Sequence, residues 1–322
     1  MSTIQGILLV GLLTSFLTAP AALATTVISP VLELEVDAGT SQPGAVKVYN
    51  ETDQDLVLTA SVEPFTAQGE DGQPRYLPPS EQDKYLGWFS LADRQLLLRS
   101  HQVAIVPFTV TVPADAASGG YYAAIFWRTD ASRAGDGSAV GISSKVGTLV
   151  LLTVTGAVIE QGSVSSFGVE PASNVFFSLP LTFSTRFENT GNVHLKPTGT
   201  IALKGWLRAA ELPFNAEQRP VLPYTARRFD VVWGQQSDGN PLQQFWRQIS
   251  QELRLLAGGF YHATLHVSYG TGSPQPVDRE LTFWLVPYHL ITAAVACVII
   301  FLIIVKINRR IKALPSGASS KS

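Results

Sequence analysis

The sequence is poor in cysteine, poor in charge, and lacks acids at both ends. Its 322 residues hold one cysteine, Cys297, so no disulfide can form within the chain. A disulfide-stapled miniprotein is excluded, and the folded part must rest on its own cores, as larger bacterial surface domains do. Charged residues make up 15% of the chain, below the usual level of roughly 25%. That shortage argues against a charged disordered protein and for packed cores plus membrane-embedded sequence. Residues 1–24 carry no charged side chain, and no acid follows Glu280. Lys306, Arg309, Arg310, Lys312 and Lys321 give the C-terminal end +5, which leaves residues 25–280 with 18 basic residues against 25 acids, a net of −7. An acidic body of this kind disfavours nucleic-acid binding, which needs a basic surface.

What is abundant is apolar sequence at the two ends. Residues 7–17 form a short apolar run, and Ala22-Leu23-Ala24 supplies the small residues of a signal peptidase site, so residues 1–24 read as a signal peptide. Residues 287–305 read as a transmembrane helix, because the apolar stretch from Phe283 onward has the length needed to cross about 30 Å of hydrocarbon. Trp284, Tyr288 and His289 stand where an interfacial aromatic belt belongs. The basic residues that follow make 306–322 a cytoplasmic tail by the positive-inside bias, which turns the bulk outward. Cys297 lies mid-span and reads as a small apolar residue.

Between these ends the pattern is one of short alternating runs separated by turn chemistry, the signature of all-β sandwiches. Leu32, Leu34 and Val36 alternate with Glu33 and Glu35, and Val46 and Val48 flank Lys47. Val106, Phe108, Val110 and Val112 form another alternating face, and residues 121–127 are apolar on both faces. Residues 27–156 are the expected first domain and residues 163–286 the second. The second holds a helical insertion at 241–257, opened by Pro241 and striped with Leu242, Phe245, Trp246, Ile249, Leu253 and Leu256. That helix covers an open end of the sandwich or contacts a partner or membrane. The polar segments 64–83 and 129–138 read as mobile loops, where binding residues tend to lie.

No catalytic or metal-binding set emerges from the side chains. His262 and His266 have the spacing of a zinc-protease helix without its glutamate, and they fall in an alternating run, where four residues span about 13 Å. Gly135-Asp136-Gly137 lacks the register of a phosphate loop, and Asp130 with Asp136 lacks the spaced oxygens of a calcium loop. Ser143-Ser144-Lys145 does not supply a nucleophile register, and no G-x-S-x-G occurs. The acid pairs Glu33 with Glu35 and Glu70 with Asp71 read as solvent-facing, and a glycan hydrolase would need two acids in one cleft. Asn50-Glu51-Thr52 is a sequon at a turn, and Leu314-Pro315-Ser316-Gly317 stands on the wrong side of the span for a sorting signal. Trp88, Phe89 and Trp127 either fill a core or anchor a partner.

Several stretches resemble the WxL-interacting protein family of bacterial surfaces. In the first domain these are residues 27–37, residues 45–50 with the following polar turn, and residues 106–113 leading to Ser118-Gly119-Gly120-Tyr121. In the second they are Asn189-Thr190-Gly191-Asn192 running on to Pro197 and Gly199, and Gly259-Phe260-Tyr261 running into Tyr269-Gly270. The resemblance implies two immunoglobulin-like β-sandwiches, a first domain that binds peptidoglycan or a surface partner, and a second that engages another protein. A weaker resemblance of the first domain is to periplasmic pilus chaperones, whose sheet edges bind extended peptides by strand addition. The expectation is a non-catalytic, membrane-anchored binding or scaffolding protein of the bacterial envelope. It would have no cofactor and no metal, and its contacts would be with membrane lipid through the C-terminal helix and with peptidoglycan or surface proteins. An envelope glycan hydrolase and a strand-addition chaperone are the alternatives.

Overall fold

The computed structural model describes residues 25–129, 144–206, 208–235, 240–255, 258–271 and 275–312. The expected signal peptide, Asp130, Asp136, the glycine-rich stretch around them, and Leu314 to Gly317 lie outside the described residues. The chain divides into two compact units, one of Met1–Pro64, Leu77–Ala116 and Tyr121–Val154, the other of Phe65–Tyr76, Ala117–Gly120 and Thr155–Ser322.

The first unit is a β-sandwich. One sheet has the order β1 (Thr25–Val27), β3 (Ser41–Asn50), β8 (Val103–Thr111) and β6 (Phe89–Leu91). The other runs β2 (Val31–Val36), β10 (Lys145–Val154), β9 (Gly119–Thr129) and β4 (Leu56–Gln68), with β7 (Gln95–Leu98) also on β4; β5 (Gln73–Tyr76) pairs with the end of β4, and this hairpin, Phe65–Tyr76, counts with the second unit. The pairings β1 with β3, β3 with β8, β6 with β8, β4 with β7 and β4 with β9 are antiparallel, and β2 with β10 is parallel. Residues 28–30, with Pro30, carry the chain from the edge of one sheet to the edge of the other. Two-residue periodicity sends Val46, Val48, Val106, Phe108 and Val110 inward from one sheet and Leu58, Ile125, Trp127, Val150 and Leu152 inward from the other.

The second unit is also a sandwich. A three-stranded sheet, β11 (Gly162–Glu170), β13 (Leu181–Asn189) and β16 (Thr225–Trp233), faces a five-stranded one. The latter has the order β12 (Val175–Phe176), β18 (Gln275–Leu285), β17 (Gly259–Tyr269), β14 (Thr198–Gly205) and β15 (Ala209–Phe214). Phe183, Phe187, Phe229 and Trp233 meet Ile201, Leu203, Tyr261, Leu265 and Phe283 in its core. The fold is therefore all-β, two immunoglobulin-like sandwiches followed by a C-terminal helix. Residues 64–76, expected as part of a mobile loop, instead form the end of β4 and all of β5. Gly69 and Gly72 take the positive φ that the connecting turn requires, and Pro74 sits on an edge strand, where no inward donor is lost.

The same device ends the second long strand of each sandwich. Asn50, fully buried, donates from Nδ2 to the carbonyls of Gln54, Leu98 and Arg99, and its Oδ1 accepts from Thr52 N and Oγ1. Asn189, equally buried, donates to the carbonyls of Val193 and Val221, and its Oδ1 accepts from Gly191 N. Each amide bonds backbone groups of a turn and of a neighbouring segment at once, and the Arg99 and Val221 carbonyls accept in addition from Gln102 N and Leu195 N. The turn after Asn50 reads as an exposed polar loop in sequence; its first residue is a core residue.

Two helices complete the second unit. The helix α1 (Pro241–Leu255) stands where the insertion was expected, with residues 256–257 outside the described residues. The helix α2 (Tyr288–Lys312) is longer than the span expected at 287–305. Lys306, Arg309 and Arg310, expected in the tail, stand in its last turns, where cations complement the negative end of the helix dipole. Over 23 residues, Tyr288–Arg310, the helix is long and apolar enough to cross a membrane by length and composition, and protein buries none of its most apolar window.

The two helices are tied by Glu252 of α1, whose side chain is 3% exposed. Its carboxylate accepts from Leu290 N at 2.8 Å and His289 N at 3.3 Å, and His289 Nδ1 lies 2.8 Å from Oε1. First-turn N–H groups have no acceptor inside their own helix, so Glu252 supplies one from another.

Replacing Asn189 by Ala should lower unfolding stability by roughly 1–3 kcal/mol, because the Val193 carbonyl loses its side-chain donor while the Val221 carbonyl keeps Leu195 N. Asn50→Ala should behave alike, and urea midpoints measured on the full chain in detergent check both. Glu252→Ala should speed amide hydrogen exchange at Leu290 and along α1 while leaving β13 and β17 protected; uniform protection would contradict this tie.

Candidate functional site

The residue types that could carry chemistry are placed apart. His262 and His266 project from one face of β17 toward different acids, His262 Nε2 lying 3.4 Å from Glu280 and His266 Nδ1 2.9 Å from Asp278. Asp278 is directly opposite His266 in the β17–β18 register, which makes these cross-strand pairs of the kind that stabilise sheets. His101 faces Asp53 at 2.9 Å, and His289 faces Glu252. Among the described residues no group of three or more His, Cys, Asp or Glu side chains is placed to hold a metal ion. Glu33 and Glu35 lie exposed on one face of β2. Glu70, at the tip of the β4–β5 hairpin, accepts from Arg186 Nε at 2.6 Å, and its carbonyl accepts from Arg228 N at 2.7 Å.

The aromatic residues left open by the sequence resolve toward packing. Trp127 and Phe89 are buried, Phe89 stacking near Phe108 with ring centroids 6.5 Å apart. Trp88 packs at the side of the same core with Tyr85 and Tyr121, at 6.2 and 4.7 Å. Tyr85 also donates to Tyr122 O at 2.9 Å. Burial raises the Tyr85 phenol well above its ordinary range, with the nearby Asp83 charge adding to it, and burial raises Tyr121 as well.

Two surfaces of the first unit remain suited to recognition. One is a cleft of about 180 Å³ lined by Thr59, Ser61 and Glu63 of β4, Arg128 of β9 and Lys145 of β10. Lys145 Nζ donates to both Glu63 oxygens, at 2.8 and 2.7 Å, and sits 3.9 Å above the Phe126 ring. That contact covers Phe126 and explains how β9 stays apolar on both faces. The lining offers two hydroxyls, two cations and a carboxylate already neutralised by its neighbour, a set for hydrogen bonding and ion pairing.

The other surface is the edge of β8. Gln102 O accepts from Asn50 N on the β3 side, and Pro107 O accepts from Ala92 N on the far side. Backbone groups alternate along a strand, so Val103 and Ile105 present theirs away from β3, where β6 reaches only Phe108 to Val110. Among the described residues no strand is paired there, and the Val103 and Ile105 side chains are 48% and 61% exposed. Sequence patterning places these residues on a strand but carries no sign of which strand lies at an edge.

Because folding raises the Tyr85 value, the stability that this protonated phenol contributes is complete below the ordinary phenol pKa of about 10 and is lost as pH rises through the folded value. Tyr85→Phe should cost about 1 kcal/mol near neutrality, where only the bond to Tyr122 O is removed. It should also flatten the alkaline fall in urea midpoint seen in the parent. Unchanged alkaline slopes would mean that Tyr85 does not titrate with unfolding.

No protein-family model matches the chain, and no curated protein matches it in sequence. Solved structures similar to it include the class 5 fimbriae chaperone CfaA, at 9% identity over 80% of this chain and 98% of that one, with a TM-score of 0.39. The CupB2 chaperone of Pseudomonas aeruginosa is similar at 10% identity over 80% and 100%, with a TM-score of 0.38. The E. coli chaperone DraB is similar at 11% identity over 80% and 98%, with a TM-score of 0.36. Likeness at this level leaves the function to be read from the chain's own residues.

Proposed function

We propose that this chain is a non-catalytic, membrane-anchored binding protein of a bacterial envelope, and that it holds a cell-wall or surface-protein partner as members of the WxL-interacting family would. The observation that carries the reading is α2. It is an apolar helix of spanning length whose cations, Lys306, Arg309, Arg310 and Lys312, all stand at its C-terminal end. The positive-inside bias puts that end in the cytoplasm and the two sandwiches on the other side. A body without cysteine and with net negative charge suits a bacterial exterior, and the Lys145 cleft favours contact over reaction. The glycan-hydrolase alternative needs two carboxylates facing one concave site, and the cleft holds Glu63 with Lys145 upon it.

A second reading, strand addition, is favoured by the open edge at Val103 and Ile105. An extended peptide pairing there would gain main-chain hydrogen bonds from the edge and apolar contact from the two exposed side chains.

In native membranes the full chain should stay in the pellet through alkaline carbonate extraction, and protease added to intact cells should remove the sandwiches while sparing the C-terminal end. Extraction into the supernatant, or digestion from the cytoplasmic side only, would overturn the topology. Full-length protein in detergent should be retained by isolated cell walls or surface-protein extracts, and Ile105→Pro, which removes an outward N–H without touching the β3 pairing, decides between the two modes. Loss of retention assigns the edge; unaltered retention assigns the Lys145 face or the loops.

A further inference from the structure

Large apolar side chains lie exposed together at one end of the second unit. Trp206, Trp246, Leu253, Phe260, Trp284 and Tyr288 are between 47% and 84% exposed. Register brings them to the same place. Phe260 is opposite Trp284 in the β17–β18 pair, with their rings 5.6 Å apart. Gly205, at the end of β14, is opposite Tyr261, so Trp206 follows at the same end of the sheet. Tyr288 opens α2, three residues beyond the end of β18. The helix α1 is held across this end by Glu252 and by Phe245, whose ring lies 5.7 Å from His289.

The helix α1 is amphipathic, and the protein covers only part of its apolar face. Ile249 and Glu252 are buried, while Trp246 and Leu253, seven residues apart and so on one side of the helix, are left outside. Gln243, Gln244 and Arg247 stand exposed elsewhere around the helix. Exposed apolar surface of this extent marks an interaction site. Its composition, tryptophan and tyrosine beside an amphipathic helix, is that of groups which settle at the boundary between headgroups and acyl chains. Continuity names the occupant, since Tyr288, one of these exposed residues, is the first residue of α2.

We propose that α1 and the surrounding aromatic residues seat the second unit on the bilayer that α2 crosses, with Trp246 and Leu253 in the headgroup–acyl boundary of the leaflet at the N-terminal end of α2. The inference rests on the anchoring reading above and goes beyond it: the unit lies on the lipid surface instead of swinging on a tether. The aromatic end then faces lipid, and recognition falls to surfaces away from it.

The test uses the full chain in phosphatidylcholine–phosphatidylglycerol vesicles, with nitroxide labels read for collision with oxygen and with a water-soluble nickel chelate. In the parent, a label on Cys297 reports whether α2 lies in the bilayer. In a Cys297→Ser background, labels at Leu253→Cys and, independently, Trp246→Cys report on the proposed contact, and one at Gln244→Cys reports on the opposite side of α1. The Leu253 and Trp246 labels should collide with oxygen several-fold more, relative to nickel, than the Gln244 label does. Equal ratios on both sides of α1 would overturn the seating while the Cys297 label still shows an embedded span. Low collision with both reagents would mean a protein covers the patch, which also overturns it. A Cys297 label open to nickel would instead remove the anchoring reading itself.

Discussion

The arrangement at the C-terminal end depends on one buried carboxylate. Withdrawing Glu252 from water is costly unless hydrogen-bond donors replace the lost solvent. The first turn of α2 has the complementary need, N–H groups with no acceptor of their own. Glu252 and α2 meet both needs with Leu290 N and the His289 backbone and ring, at the helix end where the dipole favours negative charge. The contact makes α1 part of the base from which the apolar helix departs, so the orientation of one helix constrains the other.

Within each sandwich a comparable rule acts through asparagine. Immunoglobulin-like sheets leave backbone groups unpaired where a strand ends and the chain turns away, and in a small sandwich such ends fall inside the core. Asn50 and Asn189 occupy equivalent places, each at the end of a long strand and each fully buried. A side-chain amide both donates and accepts, so one residue can serve a turn and a distant segment together. Aliphatic alternation fills the space between the sheets; these amides close its ends.

How much of this could be read from the residues depended on whether a signal was local. The alternation of Val46 with Val48, and of Leu181 with Phe183, Thr185 and Phe187, is a property of neighbours and survives into β3 and β13. The helical stripe of α1 is legible for the same reason. The strand β16 was harder: Arg227, Arg228 and Asp230 break its alternation, although Phe229 and Trp233 are buried on its inner face. Pro74 reads as a breaker, yet a proline on the outer strand β5 costs the ladder nothing, and edge position is decided by pairing many residues away. The surfaces suited to recognition were the least legible, since Glu63 and Lys145 are 82 positions apart and meet only through the order β10, β9, β4.

Fold class and the presence of an apolar helix of spanning length are legible in the residues alone, because side-chain periodicity and uninterrupted hydropathy are written along the chain. That the body can form no disulfide is legible there too. Folding in three dimensions is what makes Asn50 a core residue, lets Trp127 fill space instead of anchoring a partner, and leaves an edge of β8 open. Each of these depends on which segments fold against one another, and burial is a relation between distant residues that no local pattern encodes. The same holds for Trp246 and Leu253: composition makes them apolar, and the partial cover of α1 by the rest of its unit leaves them facing outward.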